Sequence, residues 1–287
     1  MFIKLSYTFN CYLVCLLNEF LHTRYTLTVR YEKISASNLL SYAELFKVSF
    51  LTTKLSVSYL DWLYFRNPLG NVIGYDAFFK DKLVAHYACI PTSVDGVSGL
   101  LSLNTATHPE FRGKGLHSIL ANMTYEESKP KFDFVIGVAN QNSVTNFLNK
   151  LGFINLGNLN LRWGKLTRQG KGVKRWTKEE LAWRVNSPRS NFRVKLGSNG
   201  LAQFVLKPTR LPVLLKSNVT VQSDEFNDSR NERISEIGLT LDWNAGSKPK
   251  IFLPNKFKPS PLILIYKSLN LNKVDITSFS FPDFDAF

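Results

Sequence analysis

Residues Leu101 to Phe153 read LSLNTATHPEFRGKGLHSILANMTYEESKPKFDFVIGVANQNSVTNFLNKLGF, and this stretch decides the fold. Val97 to Thr107 suits a strand, and from Leu116 to Glu127 the apolar positions Leu116, Ile119, Leu120 and Met123 recur at helical spacing. Between the two lies Arg112-Gly113-Lys114-Gly115. Its glycines permit positive φ and close backbone approach, so the first amides of the helix can point at an anion, helped by the helix dipole. Arg112 and Lys114 add charge beside that nest. The pattern is neither the nucleotide-binding P-loop nor the three-glycine dinucleotide fingerprint. It predicts a site for some other phosphate-bearing ligand.

A second strand follows at Phe132–Ala139, then Asn140, Asn142 and Ser143 as a helix start. A short amphipathic helix runs through Phe147, Leu148 and Leu151 to the stop at Gly152, followed by Phe153. With THPEFRGKGLHSIL as a pyrophosphate loop and ANQNSVTNFLNKLGF as the next strand, helix and terminal Gly-Phe, the chain resembles the GNAT superfamily of acyl-CoA N-acyltransferases. The resemblance implies an α+β fold, a mixed and mostly antiparallel twisted sheet flanked by helices, with acetyl-CoA or another acyl-CoA as co-substrate. By position, Ala106 and Thr107 would hold the pantetheine arm, and Arg112, Gly113, Lys114, Gly115, Leu116 and His117 the pyrophosphate. Asn140 and Ser143 would lie near the thioester, with Phe147 in the same cofactor set. One departure is visible: the tyrosine that the family often places after Ser143 is missing, and Phe147 and Leu148 stand nearest. Thiolate protonation then comes from elsewhere, or CoA leaves as the thiolate, or the site binds without turnover.

A chain of 287 residues with 44% hydrophobic content can bury one large core or two ordinary ones, and two is the expectation. Cys11, Cys15 and Cys89 form neither a metal pattern nor a disulfide framework, which suits a reducing cytosol. His22, His86, His108 and His117 are scattered, so no metal is expected. Residues 1–24 contain the apolar run Phe9–Leu21 after Lys4, but Asn10, Asn18 and Glu19 interrupt it. It falls short of the ~20 apolar residues that span a bilayer, and no small-residue cleavage site follows. A loosely attached extension, no stable membrane insertion and a cytoplasmic location are the expectations.

A first domain is expected over 25–166. Tyr25–Ile34 alternates like a strand, Ser35–Ser37 offers caps, and Leu39, Leu40, Leu45 and Phe46 mark a helix. The next helix carries Tyr59, Leu60, Trp62 and Leu63 and ends at Arg66-Asn67-Pro68. Strands Asn71–Phe79 and Lys82–Ile90 follow, joined by a turn at Lys80 and Asp81. LDWLYFRNPLGNVIGYDAF resembles a subset of GNAT proteins associated with bacterial surface-polysaccharide gene clusters. That resemblance places Asn67 and Trp62 on the acceptor side, although a tryptophan among leucines also reads as core.

Beyond Lys165 the composition shifts. From Lys165 to Lys216 there are thirteen Lys or Arg residues against Glu179 and Glu180, so this stretch carries +11 of the chain's +14. Such a skew suits either a solvated face or a basic wall for an anionic acceptor or CoA phosphates. No nucleic-acid motif or aromatic platform accompanies it. LAWRVNSPRSNFRV, with Trp183, Asn186 and Pro188, echoes the earlier Trp62, Asn67 and Pro68. Strands are expected at Phe192–Leu196, Leu201–Leu206, Pro212–Leu215, Ile237–Leu241 and Leu262–Leu269, and a surface loop at Val221–Arg233. No second Gly-Lys-Gly loop appears. Residues 167–287 therefore read as a second, degenerate GNAT-like half, similar in arrangement to protein N-myristoyltransferases and some tandem aminoglycoside acetyltransferases.

Aminolysis of a thioester needs a neutral amine, an oxyanion donor and a route for the amine's proton. Glu110 and His108, just before the loop, are candidate bases. The end, SFSFPDFDAF, is apolar and aromatic, and by the tandem resemblance the α-carboxylate of Phe287 is a third candidate. The leading expectation is N-acetylation of a small-molecule amine, an amino sugar or nucleotide-linked sugar in surface-polysaccharide synthesis, anionic if the basic stretch is a wall facing it. The rivals are an aminoglycoside or peptide amine as acceptor, or a non-catalytic module binding CoA or a glycan precursor.

Overall fold

Tight turns set the first half of the sheet. The computed structural model describes residues 29–50, 55–166, 170–198, 200–208, 213–222, 232–245, 261–270 and 273–284. Strand β1 (Arg30–Lys33) leads to helices α1 (Leu39–Ser49) and α2 (Val57–Phe65), and then to the meander β2 (Ile73–Phe79), β3 (Lys82–Val94) and β4 (Val97–Thr107). Both meander turns have two residues at positive φ, Lys80 and Asp81 in the first, Asp95 and Gly96 in the second. Such turns match the right-handed twist of the strands they join. Helix α2 begins at Ser56, whose side chain accepts from the Tyr59 amide.

Helix α3 (Leu116–Ser128) crosses over to β5 (Phe134–Ala139), which runs parallel to β4; α4 (Val144–Leu151) and β6 (Ile154–Lys165) follow. The later elements are β7 (Arg175–Trp176), α5 (Lys178–Val185), β8 (Phe192–Leu196), β9 (Leu201–Leu206), β10 (Leu215–Val221), β11 (Ile237–Asn244), β12 (Leu262–Ser268) and β13 (Ser278–Ser280). A nine-stranded sheet has the order β1-β2-β3-β4-β5-β12-β6-β11-β13, and a four-stranded sheet the order β7-β10-β9-β8. Late strands thus complete the sheet that the early ones begin. Side chains alternate across β3, so Tyr87 and Cys89 pack under α3 and α4, whereas Ala88 and Ile90 pack with α1, α2 and the four-stranded sheet.

Two sequence expectations shift. Of Pro212–Leu215, the described Val213 and Leu214 are irregular, and the strand is Leu215–Val221, where Leu215, Ser217, Val219 and Val221 are all buried. Strand β3 extends past Ile90 to Val94. Residues 1–24, and most of the loop expected at Val221–Arg233, lie outside the described residues.

The two tryptophans of the repeat meet. Trp62 and Trp183 stack at 4.6 Å between ring centroids and 16° between planes. Each indole Nε1 donates to the other's backbone carbonyl, at 3.1 and 3.2 Å. Arg184 lies over both rings, 5.7 Å from Trp62 and 4.6 Å from Trp183. Trp62→Ala is expected to cost about 3–5 kcal/mol in urea unfolding. A double-mutant cycle with Trp183→Ala should return a coupling of roughly 1 kcal/mol, and additive losses would contradict a direct clasp.

Candidate functional site

The site starts from an incomplete strand pair. β4 and β5 pair from Gly99↔Phe134 to Ser102↔Gly137 and then part, although β4 continues to Thr107 and β5 to Ala139. A bulge in β4 opens them. Ala88 pairs with Leu103 and His86 with Ala106, leaving Asn104 and Thr105 opposite the single residue Tyr87, with Asn104 at φ 49. An extra residue of this kind bends its strand and raises the local twist. On the side of β4 that turns from β3 toward β5, backbone groups past Ser102 have no strand partner.

A cleft of about 980 Å³ runs through the opening. At its mouth lies the loop Arg112–Gly115. Gly113 and Gly115 have φ 76 and 77, and beyond the adjoining residues no protein atom lies within 4 Å of where a Cβ would stand on either. Any side chain there would be strained and would project into the space before the helix. The first hydrogen bond closing α3 runs from Ile119 to Gly115 at 3.1 Å, so the amides of Leu116, His117 and Ser118 have no acceptor within the helix. Arg112 reaches back, Nε to the Thr107 carbonyl at 3.3 Å and Nη2 to the Ser49 carbonyl at 3.4 Å. It fastens the loop to both the end of β4 and the end of α1.

The opposite wall is the start of α4. Asn140 Oδ1 accepts from the amides of Asn142 and Ser143, each at 3.0 Å, which fixes the turn out of β5. Helix α4 then presents Ser143, Asn146, Phe147 and Lys150 to the cleft. Gly152, at φ 70, ends the helix, and its amide caps the Phe147 carbonyl.

Ala106, Thr107, Arg112, Gly113, Gly115, Leu116, His117, Asn140, Ser143 and Phe147 all line the cleft. Lys114 turns aside, its Nζ 4.9 Å from the centre of the Phe111 ring. Trp62 and Asn67 are elsewhere. Trp62 is buried against Trp183, and Asn67 is buried with Nδ2 donating to the Pro91 carbonyl and Oδ1 accepting from the Leu69 amide. His108 and Glu110 are 3.9 Å apart beside the loop and outside the cleft lining. Phe287 lies outside the described residues; Phe284, the last described one, lines the cleft. The lining also includes Ser49, Phe50, Leu55, Tyr59, Leu63, Arg189 and Leu262. Arg189 and Leu262 come from far along the chain. Asn146 and Lys150, in contrast, follow from helical spacing counted from Ser143.

Beneath the cleft, polar groups are buried and neutral. Tyr87 donates to or accepts from Ser102 at 2.8 Å and Tyr125 at 2.5 Å, and burial pushes both phenols well above their usual range. Burial raises the Cys89 thiol to about 12, which makes it a poor nucleophile at neutral pH. Burial lowers His117 from 6.5 to about 4. Among the described residues, no group of His, Cys, Asp and Glu could hold a metal ion, and no helix is long and apolar enough to cross a membrane.

This half-open sheet with a glycine loop at its mouth is structurally similar to GNAT family N-acetyltransferases. A putative acetyltransferase from Pyrococcus horikoshii matches with a TM-score of 0.52 at 11% identity, over 87% of this chain and 92% of that one. The ribosomal-protein-S18-alanine N-acetyltransferase from Escherichia coli matches with a TM-score of 0.39 at 12% identity, over 46% and 82%. A GNAT family N-acetyltransferase from Escherichia coli, solved in complex with CoA, matches with a TM-score of 0.36 at 16% identity, over 45% and 70%. At these identities the likeness is one of fold. No family model and no curated protein matches the sequence.

The buried imidazole gives the fold an acid-side liability. With a folded value near 4 against 6.5, His117 contributes nothing above pH 6.5, and as pH falls toward 4 the unfolded chain takes a proton that the folded one refuses. Stability therefore falls through that window, by roughly 3 kcal/mol at its lower end. His117→Gln should remove this part of the loss when urea midpoints are compared at pH 7.5 and 4.5. An unchanged wild-type-to-variant difference at the two pH values would contradict it.

Proposed function

We propose that this protein is an acyl-CoA-dependent N-acyltransferase, with acetyl-CoA as donor and a small-molecule amine as acceptor. The observation that carries the reading is the junction of two features in one cleft: strand edges left unpaired past Ser102, and a positive-φ glycine loop at a helix start. The fit to CoA is good because the space beside Gly113 and Gly115 is open and the Leu116–Ser118 amides lack intrahelical acceptors. When bound, the thioester supplies an activated acyl carbon. The loop amides and Arg112 hold the pyrophosphate, and the free edge of Leu103–Thr107 aligns the arm. Amides on that edge steady charge developing on the acyl oxygen. Leu101, Leu103 and Leu262 line the same cleft and keep water from the acyl end. His108 and Glu110, set outside the lining, act on the amine's proton only through water.

The second half, 167–287, is read as a GNAT-like repeat of 25–166 that exchanges a strand with it. Three things support this. The order β2-β3-β4-β5-β12-β6-β11 is continued by β10, which packs beside β11 without pairing, and then by β9 and β8. Matching β2 to β8, β3 to β9, β4 to β10, β5 to β11 and β6 to β12 makes this series read the same from both ends. The β12–β6 pair at its centre is antiparallel, as a two-fold axis requires. Trp62 and Trp183, the matched tryptophans of α2 and α5, bond to each other reciprocally. The second half offers less chain for a CoA site of its own: residues 108–133 separate β4 from β5, whereas only 222–236 separate β10 from β11. Gln203 and Asn218 there donate to the Ser235 carbonyl, at 2.8 and 3.1 Å.

For the acceptor, the lining favours a negatively charged amine, such as an amino sugar bearing phosphate or a nucleotide-linked sugar in surface-polysaccharide synthesis. Arg112, Lys150 and Arg189 line the cleft, and among the described lining residues there is no Asp or Glu. Tyr59 and Phe50 in the same lining suit the faces of a sugar or base. A polycationic aminoglycoside fits this lining poorly.

Calorimetry of acetyl-CoA against the wild type and a Gly113→Glu, Gly115→Glu double variant tests the reading. Micromolar binding by the wild type and a loss of at least a hundredfold in the variant are expected, since the substitutions bring strain and two negative charges to the anion nest. No binding by the wild type would sink the proposal. Binding without acetyl transfer across a panel of anionic, neutral and cationic amines would favour the non-catalytic module instead.

A further inference from the structure

The imidazole of His117 has no role in the account so far, because an anion at the loop needs only its backbone amide. Its side chain leaves the first turn of α3 and enters the cleft wall against α4. The ring is boxed edge to face by Phe147, at 5.2 Å and 87°, and by Tyr87, at 5.5 Å and 71°. Asn146 is hydrogen-bonded to Nδ1. Among the described residues Nε2 has no hydrogen-bond partner, and the residue lines the cleft. Two aromatic edges and one amide hold the ring so that a single nitrogen is left for whatever occupies the cleft.

Its place along the cleft follows from the two helices. His117 belongs to the pyrophosphate loop through its backbone. Its partner Asn146 is one turn of α4 beyond Ser143, on the face that also carries Phe147 and Lys150. The ring therefore stands between the loop and α4, whose start the acyl-CoA reading gives to the thioester.

We propose that His117 Nε2 hydrogen-bonds an amide group of the acyl-CoA arm, so that this side chain selects for the arm while the loop selects for the pyrophosphate. The assignment rests on the acyl-CoA reading above. With Asn146 Nδ2 as donor to Nδ1, the ring proton sits on Nε2 and points at a carbonyl acceptor. Burial keeps the ring neutral at physiological pH. A neutral donor suits an uncharged amide, whereas a phosphate would be better served by a cation. Asn146 acts through His117 as its positioning residue.

The experiment compares two probes by calorimetry: CoA, and 3′-phosphoadenosine 5′-diphosphate, which keeps the pyrophosphate and lacks the arm. In His117→Phe, which preserves the aromatic packing, CoA affinity is expected to fall roughly tenfold while the shorter probe binds as before. In His117→Gln, which retains a side-chain donor, part of the CoA loss should be recovered. Equal losses for both probes would overturn the proposal by showing damage to the loop, and unchanged CoA affinity would overturn it too. ¹⁵N histidine spectra of the wild type give a check that needs no variant to fold: Nε2 of His117 should shift with CoA and stay still with the shorter probe. A wild type that binds neither probe removes the acyl-CoA reading and this assignment together; binding of both with no dependence on His117 removes the assignment alone.

Discussion

A backbone amide or carbonyl inside a protein needs a partner, and on the side of β4 that faces β5 the end of the strand has no strand to supply one. Four residues of parallel pairing hold β4 to β5, and the bulge at Asn104 and Thr105 then turns β4 away. Much of the neighbouring architecture serves this gap. Arg112 ties the loop to Thr107, Asn140 fixes the turn out of β5, and β12 pairs with the far edge of β5. The last contact keeps β5 from moving over to close on β4. A cleft with unpaired strand edges is stable only where the surrounding sheet holds both edges in place.

The same sheet brings early and late parts of the chain to one cleft. Strands β1 to β5 alone, with β5 at the edge, would expose that edge to chance pairing. Strand β12, supplied by the late part of the chain, covers it, and β6 in turn pairs with β11. Around this centre, Trp62 and Trp183 join α2 to α5, and the bidentate contact of Arg162 with Asp242 at 2.7 and 2.6 Å joins β6 to β11. The cleft thereby receives Arg189 and Phe284 from the late part of the chain.

Much of the first half was legible because its elements obey local rules. Val97–Thr107 was read to the residue, and α3 and α4 nearly so, since glycine, asparagine and serine punctuate them. The later strands were harder. The apolar run Pro212–Leu215 reads as a strand, whereas the chain uses the alternation Leu215, Ser217, Val219, Val221, with polar Ser217 buried against Ser280 at 2.7 Å. β6 was passed over, because its apolar residues Leu159, Leu161 and Trp163 alternate within a run of asparagines and glycines. The loop side of the cleft follows from spacing along one segment, which a sequence displays. The rest of its lining is assembled from α1, α2, Arg189 and Phe284, which only tertiary packing brings together. Asn67 illustrates the limit: a polar residue before proline suggested a ligand contact, but its amide is spent on the backbone of Leu69 and Pro91.

The central claim is that the unpaired edge of β4 and the glycine loop serve one ligand. Hydrogen exchange of individual amides with and without acetyl-CoA tests it most directly. The account predicts slowed exchange in two segments at once, Leu103–Thr107 and Gly113–Ser118, with Gln203 and Asn218 in the second half unchanged. Protection of the loop without the strand edge, or protection confined to the second half, would contradict it.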